Sequence, residues 1–512
     1  MSSPTHPAFA PKRQRTRAQR RQPAFAERAA LDDAFARLSP RVSPRGTPLV
    51  SVLIHGGVFA LWITLFVRAF MLHGVLAWSV GIAYVIYDTL LLAFVTFKTL
   101  PLLKPRIDSP IEQSALPTLG VVVAAYNEAA VLPVTLKGLL EQTAAPAQIV
   151  IADDGSTDGT AALLAGEYGL IEPAQGQLSA PSSRFPSLRW LRVPHAGKAH
   201  ALNAAITALD TDIVLTVDAD TRVGPDACAA MRRAFAAERE LVAATGILTP
   251  LCAKDAAGRF FQWFQTYEYI RNFISRFAWM RADSLLLVSG AFACFRRDAL
   301  LTVGGFDPEC LVEDYELIHR LRRHAVESDL TWRVRVIGEA RAHTDAPGTL
   351  ASFLSQRRRW FAGFLQTQYW NRDITGNRRY GALGLLMMPV KAFDTLQPIY
   401  GLTAFALLLM FLFTGRLGIA LSVSGVILAK IVVDLAFHLW SVYLYRRWTA
   451  NRQGSHLSMA LLAALAEPFS FQLLRHTGAA LGWVHFLSGR RSWGAQQRTG
   501  LIANEAGGAG VS

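Results

Sequence analysis

A chain of 512 residues that is 52% hydrophobic and only 18% charged, with a mean hydropathy of +0.25, is too apolar for one soluble domain. Its net charge of +14 is uneven, with arginines crowded before the first apolar run. Cys228, Cys252, Cys294 and Cys310 have no close paired spacing, which fits a reducing compartment, gives no zinc or redox signature, and leaves them as packing residues.

Residues 1–48 form a tail rich in Arg, Pro and Ala, with Lys12, Arg13, Arg15, Arg17, Arg20, Arg21, Arg28, Arg37, Arg41 and Arg45 and no sustained hydrophobic period, so disorder is expected. It does not read as a cleavable signal, because the apolar run begins only near residue 49 and a second follows at once. The arginines read as a positive-inside signal that keeps the N-terminus cytoplasmic, with anionic-lipid or nucleotide sensing as the other reading and no nucleic-acid partner expected. A spanning helix needs roughly 20 apolar residues. Candidates fall at 51–71 and 73–97, a transmembrane pair within 49–98 broken at His73-Gly74, and Lys98, Lys104 and Arg106 return the chain to the cytoplasm.

Residues 105–375 mix charge with turn residues and read as one water-exposed domain. Gly120-Val121-Val122-Val123-Ala124-Ala125 is an apolar, Val-rich run too short for a helix and reads as a buried parallel strand. A helix is expected over 132–142, and Gln148-Ile149-Val150-Ile151-Ala152 repeats the strand pattern directly before Asp153-Asp154-Gly155-Ser156. Strand, helix, strand with acids at the strand's carboxyl end reads as a nucleotide-binding α/β unit. The run 211–217 is another strand and delivers Asp218 and Asp220 to the same sheet edge, where an Asp-x-Asp pair can hold Mg2+ or Mn2+ together with diphosphate oxygens.

Past the Gln-x-x-Arg-Trp helix, residues 381–488 are expected to hold an interfacial stretch and spans at 397–414, 417–445 and 457–487, before a tail over 489–512. Lys391 and Asp394 are expected at the interface, Lys430 and Asp434 to pair on one helix face or line a saccharide channel, and Glu467-Pro468 to mark a kink. Three full spans would place the C-terminus outside, against Arg490, Arg491 and Arg498, so either 457–487 is broken or 381–397 adds a span.

Taken in order, Ala125-Tyr126-Asn127-Glu128, Asp153-Asp154-Gly155-Ser156, Asp218-Ala219-Asp220, Glu313-Asp314 and Gln356-Arg357-Arg358-Arg359-Trp360 resemble the processive family 2 glycosyltransferases, the cellulose, chitin, hyaluronan and poly-N-acetylglucosamine synthases. The resemblance runs from about 50 to about 490 and implies an α/β GT-A domain, Rossmann-like and cytoplasmic, inserted between transmembrane α-helices. It implies a metal-dependent, inverting hexosyltransferase of a bacterial-type inner membrane that extends a β-linked polysaccharide from a UDP-sugar. Membrane lipids and accessory export subunits are implied as partners.

By the same resemblance Tyr126, Glu128, Asp153, Asp154, Lys198 and Asp218 face the donor, with Asp153 or Asp154 on the uracil or ribose, and Asp218 and Asp220 hold the metal. Asp314 is the general base, since inversion in one displacement needs a carboxylate opposite the leaving nucleotide. Ser289, Gly290 and Glu313 frame the acceptor. Gln356, Arg359 and Trp360 also face the donor, Trp360 and Gln356 reaching the terminal acceptor sugar as well, while Arg357 and Arg358 are expected to snorkel from an interfacial helix. Where many relatives carry Thr before the Glu-Asp pair, this chain has Val312. Transfer of one sugar to a lipid and an inactive scaffold are the alternative functions.

Overall fold

The computed structural model describes residues 23–104, 116–449, 456–489 and 500. Eight strands form one mixed sheet: β1 Leu119–Ala125, β2 Gln148–Asp153, β3 Leu188–Arg192, β4 Ile213–Asp218, β5 Thr221–Val223, β6 Leu241–Leu251, β7 Phe292–Arg296 and β8 Arg333–Asp345, in the order β3-β2-β1-β4-β7-β6-β8-β5. The first four are parallel, and β1, β2 and β4 are apolar runs buried on both faces as such a sheet requires. The antiparallel β7 then joins them to the parallel pair β6 and β8.

Register decides what this sheet can do. Ala125 lies opposite Asp153 on one side of β1, and Ala124 lies opposite Asp218 on the other. The two acidic motifs and the Tyr126–Glu128 turn therefore leave the sheet at one carboxyl edge, the position where open α/β sheets bind ligands.

Helices Leu49–Arg68, Gly74–Leu103, Leu383–Phe413 and Leu417–Thr449 are each long and apolar enough to cross a membrane. Leu383–Phe413 takes the 381–397 stretch into one continuous helix instead of an interfacial piece. At 1.5 Å rise its 31 residues are about 46 Å long, well beyond a hydrocarbon core of about 30 Å. Helices Leu457–Phe469 and Phe471–Leu487 are bent by 50° at Ser470, two residues after Pro468, which makes the pair a broken span or a re-entrant loop.

Within the expected disordered tail of 1–48, residues 23–38 are instead ordered. Pro23–Leu38 is helical and packs on helices Lys198–Ala208 and Arg297–Val303. Arg41 forks onto the fully buried Asp307 at 2.8 and 2.9 Å, Arg45 pairs with Glu327, and Arg28 meets His200. Arg41 and Arg45 thus tie this region to acids of the sheet domain. Residues 1–22, Arg106, Arg490, Arg491 and Arg498 lie outside the described residues.

Candidate active site

The carboxyl edge of the sheet sets Lys198 among Asp218, Glu313 and Asp314. Gly155 adopts φ +74, the left-handed turn that a side chain disfavours, and this folds Asp153-Asp154 back under the following loop. Asp153 accepts from the Ser156 amide at 2.8 Å and the Trp190 indole at 3.3 Å. Asp154 accepts from the amides of Ala196 and Gly197 at 2.9 Å and from His195 Nδ1 at 2.8 Å. Both carboxylates are 3% exposed or less, so they shape the site from beneath. What they leave open is Tyr126, 42% exposed and stacked on His195 at 4.1 Å with a 17° tilt. Glu128 lies buried beside this aromatic pair in sequence.

Asp154 also fixes Gly197, and Gly197 begins the helix that carries Lys198. The ammonium lies 2.6 Å from Asp218 Oδ1 and 3.3 Å from Glu313 Oε1, tying the end of β4 to the start of helix Glu313–Glu327. Burial opposes its charge, but the fields of Asp218, Glu313 and Asp314 outweigh that and hold it above the ordinary lysine range.

Asp220 turns inward, where burial first, and then the charges of Asp218 and Asp345, push its carboxyl well above the usual range. Asp345 is brought here by β8, its amide donating to the Asp220 carbonyl at 3.1 Å, and no local motif in the sequence marks it. Such mutually repelling acids suit a cation. Among the described residues no three His, Cys, Asp or Glu side chains are grouped to hold a metal by themselves. Two carboxylates plus ligand phosphates is the usual way in which Mg2+ and Mn2+ are held, so Asp218 and Asp220 fit a site completed by a diphosphate.

Asp314 sits at the first turn of its helix. Its Oδ2 accepts from the Gly290 amide at 2.7 Å and its Oδ1 from the Tyr315 amide at 2.8 Å. Burial first, and then the neighbouring Glu313, raise it to about 6 in spite of Lys198 and those two amides. A Cβ at Gly290 would stand 3.0 Å from Asp314 Oδ2, which explains the glycine there. Ser289 precedes it, its amide on Thr245 Oγ1 at 3.4 Å.

Helix Leu350–Trp370 closes the site from the membrane-side bundle. Val312 packs on Gly363, where a Cβ would come within 2.6 Å of its methyl, so the residue that stands in place of the family's Thr works as a packing contact. Gln366 accepts from the Leu311 amide at 3.2 Å, and Gln368 donates to the Tyr315 hydroxyl at 3.0 Å. One turn or more toward the N-terminus, Gln356 is buried with Oε1 unpartnered among the described residues, and Trp360 lies under the Arg357 guanidinium at 4.6 Å. Arg357 is no interfacial snorkel: it pairs with the buried Glu268 at 2.7 Å, and Glu268 also meets Arg475. Arg475 continues to Glu467, which forks with Arg271, so Glu467 is an ion-pair partner beside the bend. Arg358 is exposed.

Residues 120–304 match the family model "Glycosyl transferase family 2", and residues 213–423 match "Glycosyl transferase family group 2". The chain belongs to the family 2 glycosyltransferases. This glycosyltransferase is 29% identical over 255 residues to the poly-beta-1,6-N-acetyl-D-glucosamine synthase of Staphylococcus aureus, covering 49% of this chain and 56% of the relative. The Staphylococcus epidermidis enzyme of the same name is 28% identical over 254 residues with the same coverage, so the glycosyltransferase matches little more than half the length of these relatives. A mannosyltransferase from Pyrobaculum calidifontis, solved with GDP-Man and Mn2+, superposes with a TM-score of 0.50 at 21% identity, covering 77% of this chain and 99% of that one. The sheet is accordingly a GT-A fold.

Proposed function

We propose that this glycosyltransferase is a membrane-bound, divalent-cation-dependent, inverting hexosyltransferase that extends a β-linked polysaccharide from a UDP-sugar. The observation that carries the reading is Lys198 bridging Asp218 and Glu313 beside an Asp314 raised to about 6. A cation for the diphosphate and a base poised near neutrality meet at one helix start.

In this reading the nucleobase lies against Tyr126, and Asp153, Asp154 and Glu128 build the wall behind it. Asp218 and Asp220 would hold Mg2+ or Mn2+, which would supply charge neutralisation to the diphosphate, and Lys198 adds a point charge there. The acceptor hydroxyl oxygen bonds to the anomeric carbon as Asp314 takes its proton. The anomeric carbon–oxygen bond breaks, and its electron pair leaves with the nucleoside diphosphate. Ser289, Gly290 and Glu313 frame the acceptor, Trp360 stacks on its terminal sugar, and Gln356 and Arg359 bind between the sugar and the diphosphate.

The four long apolar helices support placement in a lipid membrane; the bacterial inner membrane, a cytoplasmic GT-A domain and export subunits complete the proposal. The named relatives support N-acetylglucosamine as the sugar.

The test is turnover by the purified protein in lipid nanodiscs with labelled UDP-GlcNAc, UDP-glucose and GDP-mannose, with Mn2+, Mg2+ or chelator. A cation-dependent polymer from UDP-GlcNAc supports the reading. A product carrying one sugar on lipid replaces polymerisation by single transfer, and full activity in chelator removes the metal.

A further inference from the structure

Helix Leu350–Trp370 presents Trp360 to the side of the base. Residues three and four apart share a helix face, and on that face Gly363 takes the Val312 side chain while Phe364 lies 6.2 Å from Tyr315, the neighbour of Asp314. Trp360 stands one turn before both contacts and is half-buried. One face of its ring is covered by the Arg357 guanidinium at 4.6 Å, which also lies 4.8 Å from the Phe353 ring.

What holds that guanidinium comes from outside the helix. Arg357 Nη2 donates to Glu268 Oε2 at 2.7 Å, and Arg475 Nε reaches the other oxygen of the same carboxylate at 3.2 Å. Glu268, on helix Ala256–Arg281, is 2% exposed, and the Arg357 side chain is 11% exposed. Helix Phe471–Leu487, which carries Arg475, presses on the same turn: a Cβ at Gly478 would come within 2.6 Å of Arg357 Cβ, and one at Gly482 within 2.7 Å of Phe361 Cβ. Buried ion pairs add little to stability over apolar residues of the same volume. Here the pair fixes a side chain that lies on Trp360.

We infer that Arg357, anchored by Glu268, is a positioning residue that sets the Trp360 ring for stacking on the terminal acceptor sugar. The guanidinium is attracted to the π electrons of one ring face and holds the indole in place with its opposite face left for the ligand. A ring held before the sugar arrives loses little rotamer freedom on binding. Lysine would not do the same, because a planar guanidinium lies flat on an indole while its edge donates to a carboxylate, whereas an ammonium is a point charge. This role rests on the reading of Trp360 as the ring under the acceptor.

The experiment is a double-mutant cycle in lipid nanodiscs over wild type, Arg357→Met, Trp360→Ala and the double variant, with Arg357→Lys and Glu268→Gln beside them. It measures calorimetric binding of a β-1,6-linked N-acetylglucosamine tetrasaccharide, binding of UDP with Mn2+, and thermal unfolding. Arg357→Met should weaken tetrasaccharide binding by about three- to tenfold, Glu268→Gln by a smaller factor, and Arg357→Lys should recover part of the loss. UDP affinity should stay within about twofold in the Arg357 variants. Because Arg357 acts through the ring, the double variant should bind the tetrasaccharide no more weakly than Trp360→Ala alone, whereas a merely structural arginine would give losses that multiply. Arg357→Lys keeps a charge beside Glu268 and takes the same place in the cycle should the methionine variant not fold. Multiplying losses, wild-type tetrasaccharide binding in Arg357→Met, or an equal loss of UDP affinity overturns the inference and leaves the acceptor role of Trp360 standing. Tetrasaccharide binding that is absent from the wild type, or untouched by Trp360→Ala, refutes that acceptor role and the positioning of Arg357 with it.

Discussion

Replacing Asp314 by Asn should abolish transfer and at the same time stabilise the protein, and the two effects separate by pH. The carboxyl is raised to about 6 against an ordinary value of about 3.9. A carboxylate whose folded pKa lies above its unfolded one weakens the fold as pH rises from about 4 through 6, with the whole cost present above that. The two values correspond to about 3 kcal/mol at neutral pH. The Asn side chain keeps only one carbonyl oxygen for the two amides of Gly290 and Tyr315, at 2.7 and 2.8 Å, which returns about 1 kcal/mol. Asp314→Asn should therefore unfold a few degrees higher than wild type at pH 7.5, with the gain gone near pH 4. Transfer should fall at least about a thousandfold, and the wild-type kcat/KM should drop below pH 6 with a single acidic limb. Thermal unfolding in nanodiscs at the two pH values, beside a pH–rate profile, measures all three. A stability gain that does not change with pH, or a variant keeping a tenth of wild-type activity, would refute this account of Asp314.

Gly290→Ala puts a Cβ 3.0 Å from Asp314 Oδ2 and 3.1 Å from its Cβ, so the carboxyl must move; kcat should fall about ten- to a hundredfold with donor KM nearly unchanged. Lys198→Met removes the ammonium between Asp218 and Glu313, which should raise the KM for donor and move the acidic limb of the pH–rate profile above 6, as titrated kinetics would register. Arg41→Ala leaves Asp307 buried without its cation and should cost about 3 kcal/mol, measured by denaturation, with Arg41→Lys recovering part because a single ammonium cannot fork.

The parallel half of the sheet was legible because β1, β2 and β4 are continuous apolar runs that end in acids, a pattern that belongs only to a buried strand. β3 and β8 were not: Leu188-Arg189-Trp190-Leu191-Arg192 carries two arginines, and β8 alternates buried with half-buried polar residues, so neither has the composition of a core strand. The motif acids were found one by one, but their roles depend on orientation. Asp154 and Asp153 point beneath the loop, while Asp345 enters the cluster from a strand with no signal of its own. The N-terminal helix escaped detection because what holds it is tertiary: its Glu27 pairs with Arg297, 270 residues away in the chain. The same holds for Arg357, where a run of three arginines looks interfacial until Glu268 is seen beside it.

The most direct measurement of the central claim is the anomeric configuration of the first glycosidic bond made from an α-linked UDP-sugar, read by proton NMR of product formed before any secondary turnover. A single displacement assisted by Asp314 predicts a β-linkage from the wild type and no linkage above background from Asp314→Asn. An α-linked product, or a β-linked product formed equally well by the variant, would contradict it.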